Sequence, residues 1–336
     1  MTRPRVLLLC GGRSDEHEVS LASARSVLAA AGTRLELTPL VIARDGHLLS
    51  RGASVKLLES GKRDHVSARG GLERLEPAAF DVVLPLLHGP FGEDGSVQGL
   101  LKIMGLPFVG SDVLGSAVGM DKGMMKAVFA AHDLPNVAHR VVTRRAWLET
   151  PEQVLDELTA LPYPVFVKPA NLGSSVGISR ADDATTLRAA LSEAARYDRR
   201  IVVEQGLVGA RELEVGVLGN DTPEASVVGE VGFCSTFYDY HSKYTEGEAA
   251  LHIPAALPPE TAKRCRELAL AAFRAVDAAG LARVDFFLHE GKLYLNEINT
   301  MPGFTTTSMY PKLWEASGVP YPELVARLIE LALEPR

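Results

Sequence analysis

Short apolar runs that stop at glycine-rich or polar loops alternate with helical spacings along the first part of the chain. Residues 6–10 read VLLLC and stop at Gly11-Gly12, and the following SLASARSVLAAA spaces its apolar positions as a helix does. LTPLVIA and FDVVLPLLH have the length and composition of further buried strands. This order predicts an α/β domain whose loops at strand carboxyl ends, such as HGPFGEDG from His88 onward, bind ligands.

Two further regions follow. The stretch MDKGMMKAVFAAHDLP predicts an amphipathic helix that stops at Pro135, and YPVFVKPA, a glycine-serine loop, an alanine-rich helix and IVVEQGL predict a second small sheet. In the third region, VGVLG, VVGEVG, VDFFLH and KLYLNEIN read as strands. We expect helices from Pro259 to Ala279 and over YPELVARLIELAL, with Glu290-Gly291 between the last two strands.

Composition narrows the function classes. A chain of 336 residues with 46% hydrophobic residues can bury a large core and predicts two or three domains. A net charge of -7 without a basic block argues against nucleic-acid binding, so we expect small-molecule partners. The three cysteines are widely spaced, which is typical of reduced thiols, and we expect no signal peptide, no membrane span and a cytoplasmic location.

The stretch KPANLGSSVGIS (168–179) suggests a phosphate-binding loop of an unusual kind. It is not a Walker loop, because Lys168 precedes Gly173 and Gly177 instead of following them, and it does not fit G-x-G-x-x-G. A turn between two strands could still offer backbone N–H groups and hydroxyls to an anion, with Lys168 supplying positive charge. Taken alone, the loop fits an ordinary glycine-serine turn equally well.

A metal site is predicted in RVDFFLHEGKLYLNEIN. Arg283 with Asp285, and Glu297 with Asn299, are two residues apart, so each pair faces one side of its strand. We expect Asp285 to lie opposite Glu297, with a three-residue loop centred on Gly291. Such oxygen ligands suit magnesium carrying ATP. Solvated surface acids are the alternative, but Glu297 and Asn299 interrupt an otherwise apolar strand, which favours the metal site.

Several motifs together carry a family resemblance. Besides Lys168, the GSSVG loop and the acidic trio, by which we mean Asp285, Glu297 and the amide Asn299, the chain contains five further motifs. In chain order they are GGRSDEHEVS, HGPFGEDG, MDK, YDYHSKY and EINTMPGFTTTSMYPKLW. With these, it resembles the ATP-grasp ligases, and within them the D-alanine–D-alanine ligase family. The resemblance implies a three-domain α/β architecture: an N-terminal open-sheet domain that binds substrate (1–116) and two α+β subdomains that clamp ATP (117–207 and 208–336).

The resemblance also implies a reaction. ATP would phosphorylate the carboxylate of one D-alanine, and the amine of a second D-alanine would then displace phosphate to give D-alanyl-D-alanine for peptidoglycan synthesis. It implies ATP and two Mg²⁺ ions, with Mn²⁺ as a substitute, and a homodimer. Closure of the 238–244 loop would exclude water from the acylphosphate.

Residue roles are carried over by position from the family. The resemblance implies that Glu16, Ser174 and Tyr244 would form a hydrogen-bonded set, with Glu16 also pairing with the ammonium of the first D-alanine near His88. Arg283 and the Gly303 N–H would face the oxyanion. Ser308 and Met309 would receive the second carboxylate, and Asp285, Glu297 and Asn299 would bind metal. The expected nucleotide residues are Lys122, Lys168, Ser174, Ser175, Glu204, Gln205, Leu207, Glu212, Lys243 and Phe287.

Alternatives remain open at this stage. The chain keeps Lys243-Tyr244, whereas relatives that make D-alanyl-D-lactate replace that tyrosine, so an amine acceptor is favoured, with D-serine harder to exclude. Another ATP-grasp ligase would lack the Glu16 and Tyr244 motifs. A non-catalytic amino-acid sensor is a further alternative, but it would not explain the presence of Arg283 and the acidic trio. His88 fits a structural role equally well, and His17, His132, His139, His241 and His252 are expected in surface or loop positions.

Overall fold

The structure is a computed structural model, and it describes residues 3–32, 35–61, 75–173, 176–233 and 249–335. The strands of these residues form separate sheets of three, four and five strands. None of the helices among the described residues is long and apolar enough to cross a membrane.

The first sheet is parallel, with strand order β2-β1-β3. Six of the seven residues of β1 are buried, which explains why its sequence is a continuous apolar run. The carboxyl ends of β1 and β3 lie at the same edge, so the loops that follow Gly11 and Leu86 lie side by side. The elements are β1 (Arg5–Gly11), α1 (His17–Ala31), β2 (Glu36–Ile42), α2 (Arg51–Ser60), a 3₁₀ turn (Pro77–Ala79), β3 (Val82–Leu86), α3 (Ser96–Ile103) and α4 (Val113–Met120).

The four-stranded sheet is antiparallel, with strand order β4-β7-β5-β6. The glycine-serine loop joins β5 to β6, so the predicted placement of this loop between two strands is confirmed. The alanine-rich helix α8 begins with a capping box in which Asp183 and Thr186 bond each other's backbone N–H. The elements are β4 (His139–Thr143), α6 (Arg144–Glu149), α7 (Pro151–Leu158), β5 (Val165–Pro169), β6 (Ser179–Ala181), α8 (Ala184–Tyr197) and β7 (Arg200–Gln205).

The five-stranded sheet is antiparallel, with strand order β10-β9-β8-β11-β12. Helix α9 ends at Ala275, four residues earlier than the sequence predicts, because Asp277 adopts a left-handed conformation with φ 58. The elements are β8 (Arg211–Gly219), β9 (Glu224–Phe233), β10 (Ala249–His252), α9 (Pro259–Ala275), β11 (Gly280–His289), β12 (Lys292–Asn299), α10 (Met309–Ala316) and α11 (Tyr321–Leu333).

Two helical segments pack away from their neighbours in sequence. Helix α5 (Lys122–Ala131) places Met125 and Phe129 in the core of the five-stranded sheet. The closing helices α10 and α11 place Tyr310 and Leu328 in the core of the N-terminal parallel sheet. Segments of the second and third regions therefore contribute to the core of a neighbouring region, whereas the four-stranded sheet has a core formed by its own residues. The domain limits 1–116, 117–207 and 208–336 stay a prediction.

The hairpin of β11 and β12 has the predicted pairs but not the predicted turn. Asp285 lies opposite Glu297 and Arg283 opposite Asn299, as expected. The turn, however, has two residues, Glu290 and Gly291, both with positive φ, and a register shift after Asp285 leaves Asn296 as an extra residue. The expected three-residue loop is wrong. The bulge at Asn296 supplies the one extra residue that is needed for Asp285 to lie opposite Glu297.

One histidine and two cysteines, His17, Cys10 and Cys265, are fully buried. The expected surface or loop position of His17 is wrong: this residue begins α1 with its side chain fully buried, and its Nδ1 is 2.7 Å from the Gly12 carbonyl oxygen. Cys10 and Cys265 are buried free thiols, and burial raises the pKa of each to about 12. Such thiols are unreactive at neutral pH.

Candidate active site

One face of the five-stranded sheet carries six of the predicted site residues. The register places Glu212 opposite Phe287, Glu214 opposite Asp285, and Asp285 opposite Glu297 on its other side. Because alternate residues of a strand share a face, the side chains of three strands meet there. They are Glu212 and Glu214 of β8, Arg283, Asp285 and Phe287 of β11, and Glu297 and Asn299 of β12.

Arg283 lies between two carboxylates on this face. Its Nε and Nη2 each donate to one oxygen of Asp285 at 2.7 Å, and its Nε is also 2.9 Å from Oε2 of Glu214. Burial alone would lower the pKa of the guanidinium, but the Asp285 and Glu214 carboxylates raise it well above its ordinary value. Arg283 is therefore a fixed positive charge at this surface.

The acidic trio has the donor chemistry of a hard-cation site. Asp285 and Glu297 are directly opposed, and Oδ1 of Asn299 accepts the Met301 N–H at 3.1 Å. No group of three or more His, Cys, Asp or Glu side chains within the described ranges is arranged to hold a metal ion. The set thus offers two carboxylates and one amide, which suits a divalent ion that takes its other ligands from phosphate and water.

Lys122 connects this face to the phosphate loop. Its ammonium donates to the Leu172 carbonyl oxygen at 2.7 Å and lies 3.7 Å from Oε2 of Glu297. Its backbone N–H donates to the Ala170 carbonyl oxygen at 3.0 Å. A predicted phosphate-binding lysine and a predicted metal ligand therefore meet beside the loop.

A buried charge cluster lies next to Lys122. Both Lys126 and Lys168 pair with Glu204, with 3.0 Å between the Lys126 Nζ and Glu204 Oε2. Lys126 also donates to the carbonyl oxygen of Asn296, the bulged residue, at 3.3 Å. Burial would raise the pKa of Glu204, but the two ammonium groups lower it to about 2. Sequence reasoning did not select Lys126, which occupies an unremarkable position of an amphipathic helix.

The first part of the phosphate loop is held in place by Asp198. Its Oδ2 accepts hydrogen bonds from the backbone N–H of Asn171 at 2.8 Å and from the Asn171 side-chain amide at 2.9 Å. Ser174 and Ser175, together with Lys243 and Tyr244, lie outside the described residues. Their assignments stay predictions.

Glu16 reaches two loops at once. It immediately precedes α1, and a Cβ built on Gly89 or Gly173 would lie 2.4 or 2.8 Å from its Oε2. A side chain at either position would therefore displace this carboxylate. The predicted ammonium-binding residue lies against HGPFGEDG on one side and against the phosphate loop on the other.

His88 joins the amino-acid region to the C-terminal part of the chain. Its Nδ1 is 3.1 Å from the Met301 carbonyl oxygen, and its Nε2 is 3.0 Å from the Ser23 hydroxyl, which also accepts the Phe304 N–H. Burial lowers the pKa of this imidazole. These contacts fit a structural residue, and its role in substrate binding stays a prediction.

Glu93 is a buried acid that sequence reasoning did not select, although it lies within HGPFGEDG. Its Oε1 accepts the Gly89 N–H at 2.7 Å, and its side chain is 4.0 Å from Nδ1 of His88. Burial, followed by the nearby Glu16 carboxylate, raises the pKa of Glu93 well above its ordinary value. The sequence feature that could have identified Glu93 is an acidic residue inside a glycine-rich loop at the end of a strand.

The predicted acceptor residues surround the start of α10. A Cβ on Gly303 would lie 2.8 Å from the Ser308 hydroxyl, which accepts the Thr305 N–H at 3.0 Å. The Met309 side chain is buried with Val231 and Leu313. Ser308 and the N–H groups of the first turn thus form a helix N-terminus that favours a bound carboxylate. The Met309 side chain packs in the core.

The predicted adenine hinge lies at the end of β7. Gln205 donates its backbone N–H to the Ala138 carbonyl oxygen at 2.9 Å, and Gly206 donates to the Pro164 carbonyl oxygen at 2.7 Å. Leu207 follows this anchored pair, and Glu212 begins the polar face opposite Phe287. The hinge is therefore held by backbone hydrogen bonds to two neighbouring segments, and its contacts with adenine stay a prediction.

Two family models match the chain, described as the N-terminus of D-ala D-ala ligase over residues 5–111 and its C-terminus over residues 128–330. The chain belongs to the D-alanine–D-alanine ligase family. A D-alanine–D-alanine ligase of Deinococcus radiodurans is 57% identical over 340 residues, with 99% of each chain covered. This membership identifies the fold as ATP-grasp and the chain as a ligase that uses ATP and a divalent metal ion.

Solved structures agree with this membership. A D-alanine–D-alanine ligase from Coxiella burnetii matches with a TM-score of 0.83 at 35% identity, covering 99% of this chain and 94% of the other. The VanG D-Ala:D-Ser ligase from Enterococcus faecalis also matches with a TM-score of 0.83, at 30% identity, covering 98% and 100%. The resemblance inferred from the motifs is confirmed.

Proposed function

We propose that this protein joins two D-alanine molecules into D-alanyl-D-alanine, using ATP, for peptidoglycan synthesis. The observation that carries the proposal is the position of Glu16, which lies against Gly89 and Gly173. An ammonium bound to Glu16 is thereby placed beside the loop that would hold the ATP phosphates. This arrangement favours a substrate with an amine and a carboxylate over a ligase that activates another kind of acid.

The reaction has two steps. A carboxylate oxygen of the first D-alanine attacks the γ-phosphorus of ATP, ADP leaves, and an acylphosphate forms. The neutral amine of the second D-alanine then attacks the acyl carbon, the C–O bond to phosphate breaks, and the amine proton is lost. Arg283 and the Gly303 N–H would bind the negative oxygen of the tetrahedral intermediate. Ser308 and the Met309 N–H at the start of α10 would receive the second carboxylate.

The nucleotide would lie between the two antiparallel sheets. Lys122 and Lys168, now bonded to Leu172 and Glu204, would turn to the phosphates, with Ser174, Ser175 and Lys243 completing the clamp. Glu204, Gln205 and Leu207 would contact adenine. Glu212 would bind ribose, and its cross-strand neighbour Phe287 would contact the nucleotide.

Asp285, Glu297 and Asn299 would hold two Mg²⁺ ions. When bound, these ions would neutralise charge on the transferred phosphoryl group. Their oxygen donors also suit Mn²⁺. Glu16, Ser174 and Tyr244 would form the hydrogen-bonded set that closes the 238–244 loop, and His88 would support the first D-alanine.

We also infer a homodimer. Leu100, Ile103 and Leu114 on α3 and α4 expose 53%, 88% and 60% of their surface, and their burial against a second copy would be favourable. Light scattering after gel filtration would test this: twice the chain mass is expected, and Ile103→Glu is expected to give monomers. The cytoplasmic location stays a prediction.

Phosphate release tests the proposed function. Purified protein with ATP and Mg²⁺ should release phosphate with D-alanine but not with L-alanine, and mass spectrometry should find D-alanyl-D-alanine. D-alanine paired with D-serine or D-lactate tests the acceptor. Release with D-alanine only when D-serine is also present would replace the proposal by a D-alanyl-D-serine ligase, and no release in any mixture would refute it.

A further inference from the structure

The Asp285 carboxylate has two possible partners, Arg283 and the proposed metal ion. Both oxygens of Asp285 accept hydrogen bonds from Arg283. The proposed function requires the same carboxylate to coordinate a metal ion. A metal ion would compete with Arg283 for the negative charge of the same two oxygens, so metal binding is expected to weaken this pair.

Weakening the pair would leave a buried cation in need of a partner. The Arg283 side chain is only 18% exposed. A buried charge that loses its counter-ion is strongly destabilising. A second carboxylate is therefore needed if Arg283 is to remain at the reacting carbonyl when Asp285 turns to the metal.

Glu214 is placed to be that second carboxylate. It faces Asp285 across the β8–β11 pair, is 14% exposed, and has Oε2 2.9 Å from Nε of Arg283. Nε carries a single hydrogen, which points to Asp285 at 2.7 Å in this structure. Glu214 therefore competes with Asp285 for one N–H, and can take it whenever Asp285 moves away.

We propose that Glu214 is a positioning residue that holds Arg283 at the acyl carbon while Asp285 binds metal. The inference rests on the proposed function, which gives Asp285 to the metal and Arg283 to the oxyanion. No motif of the sequence pointed to this role. The signal was the spacing of Glu214 two residues after Glu212, which puts both on the polar face.

Two substitutions separate contact from charge. Glu214→Gln keeps the shape and removes the charge, whereas Glu214→Asp keeps the charge but withdraws it from Arg283. Glu230→Gln is the matched control, because Glu230 of neighbouring β9 also pairs with an arginine, Arg211, at 2.7 Å. Thermal unfolding of each variant checks that the fold is retained.

The readouts are the Mg²⁺ dependence of turnover and the binding of ADP with Mn²⁺ or Mg²⁺, measured by calorimetry without turnover. Substitution of a residue that supports a metal ligand typically costs ~10–100-fold in metal affinity or activity. We expect both Glu214 variants to need about tenfold more Mg²⁺, to bind the metal–ADP complex more weakly, and to have a lower kcat at saturating Mg²⁺. Glu230→Gln should match the unsubstituted protein.

Three outcomes overturn the inference. Unchanged metal dependence in both variants removes Glu214 from the site. Normal behaviour of Glu214→Asp beside an impaired Glu214→Gln assigns the effect to charge alone and not to contact. Equal effects in Glu230→Gln make it a general property of the sheet. If the unsubstituted protein does not ligate D-alanine, the proposed function is refuted instead, so the two failures are distinguishable. If Glu214→Gln does not fold, the metal dependence of Glu214→Asp alone tests the role of Glu214.

Discussion

The buried cluster of Glu204 with Lys126 and Lys168 allows a quantitative prediction. Glu204→Gln preserves the shape of the side chain but leaves two buried ammonium groups without their shared carboxylate. We expect a large loss of stability, because the free energy needed to bury these lysines is balanced by this one acid.

The magnitude follows from the pKa of Glu204, which falls from 4.5 to about 2 in the folded protein. At about 1.4 kcal/mol for each pKa unit, ionised Glu204 contributes about 3 kcal/mol. Breaking a buried pair by removing one partner typically costs ~3–5 kcal/mol, which agrees. Since the folded pKa is depressed, the contribution is fully present above pH 4.5 and is lost as the pH falls through about 2.

Thermal and denaturant unfolding at pH 7 would measure this loss, with Glu152→Gln as the control. Glu152 pairs with Arg188 at 2.8 Å, but its side chain is 79% exposed, so its removal should cost less than about 1 kcal/mol. Adding Lys126→Met to Glu204→Gln should recover part of the loss by removing one unpaired cation. A Glu204→Gln protein as stable as the Glu152→Gln protein would show that the two buried ammonium groups do not depend on this carboxylate.

Three further predictions concern the site. Glu93→Gln should become increasingly stable relative to the unsubstituted protein as the pH rises above 4.5, because the raised pKa of Glu93 makes its ionisation unfavourable in the fold; equal melting curves from pH 5 to 8 would contradict this. Gly89→Ala should raise the KM for D-alanine on the order of 100-fold by displacing Glu16, whereas Gly105→Ala, also at positive φ but with open space, should not. Glu297→Ala should lower kcat at least about 100-fold and abolish metal-dependent ADP binding in calorimetry, with its unfolding curve retained; near-normal turnover would remove Glu297 from the metal site.

The sequence predicted features that depend on local pattern. The parallel strands at 6–10 and 80–88, the closing helix and the opposed Asp285–Glu297 pair all follow from periodicity, and the structure contains them. The turn could not be derived in the same way. A three-residue loop and a two-residue turn followed by a bulge give the same opposed pair, and only the three-dimensional structure distinguishes them.

The features that sequence reasoning missed depend on contacts between distant segments. Lys126 occupies a helix position that would be solvated in isolation, and it is buried only because Glu204 and the bulged Asn296 approach it from two sheets. Glu93 and Glu214 likewise become noteworthy once Gly89 and Arg283 are their neighbours. The two-residue spacing from Glu212 is consistent with the face on which Glu214 lies, but its pairing with Arg283 depends on β8 and β11 being neighbours in the sheet.

Isotope transfer tests the ligation most directly. D-alanine with both carboxylate oxygens replaced by ¹⁸O is incubated with the protein, ATP and Mg²⁺, and the products are analysed by mass spectrometry and ³¹P NMR. One ¹⁸O is expected in each phosphate released, because the carboxylate oxygen that attacks ATP leaves with phosphorus, and one ¹⁸O is expected in the amide carbonyl of D-alanyl-D-alanine. Phosphate without ¹⁸O, or phosphate released without dipeptide, would contradict the proposed two-step ligation.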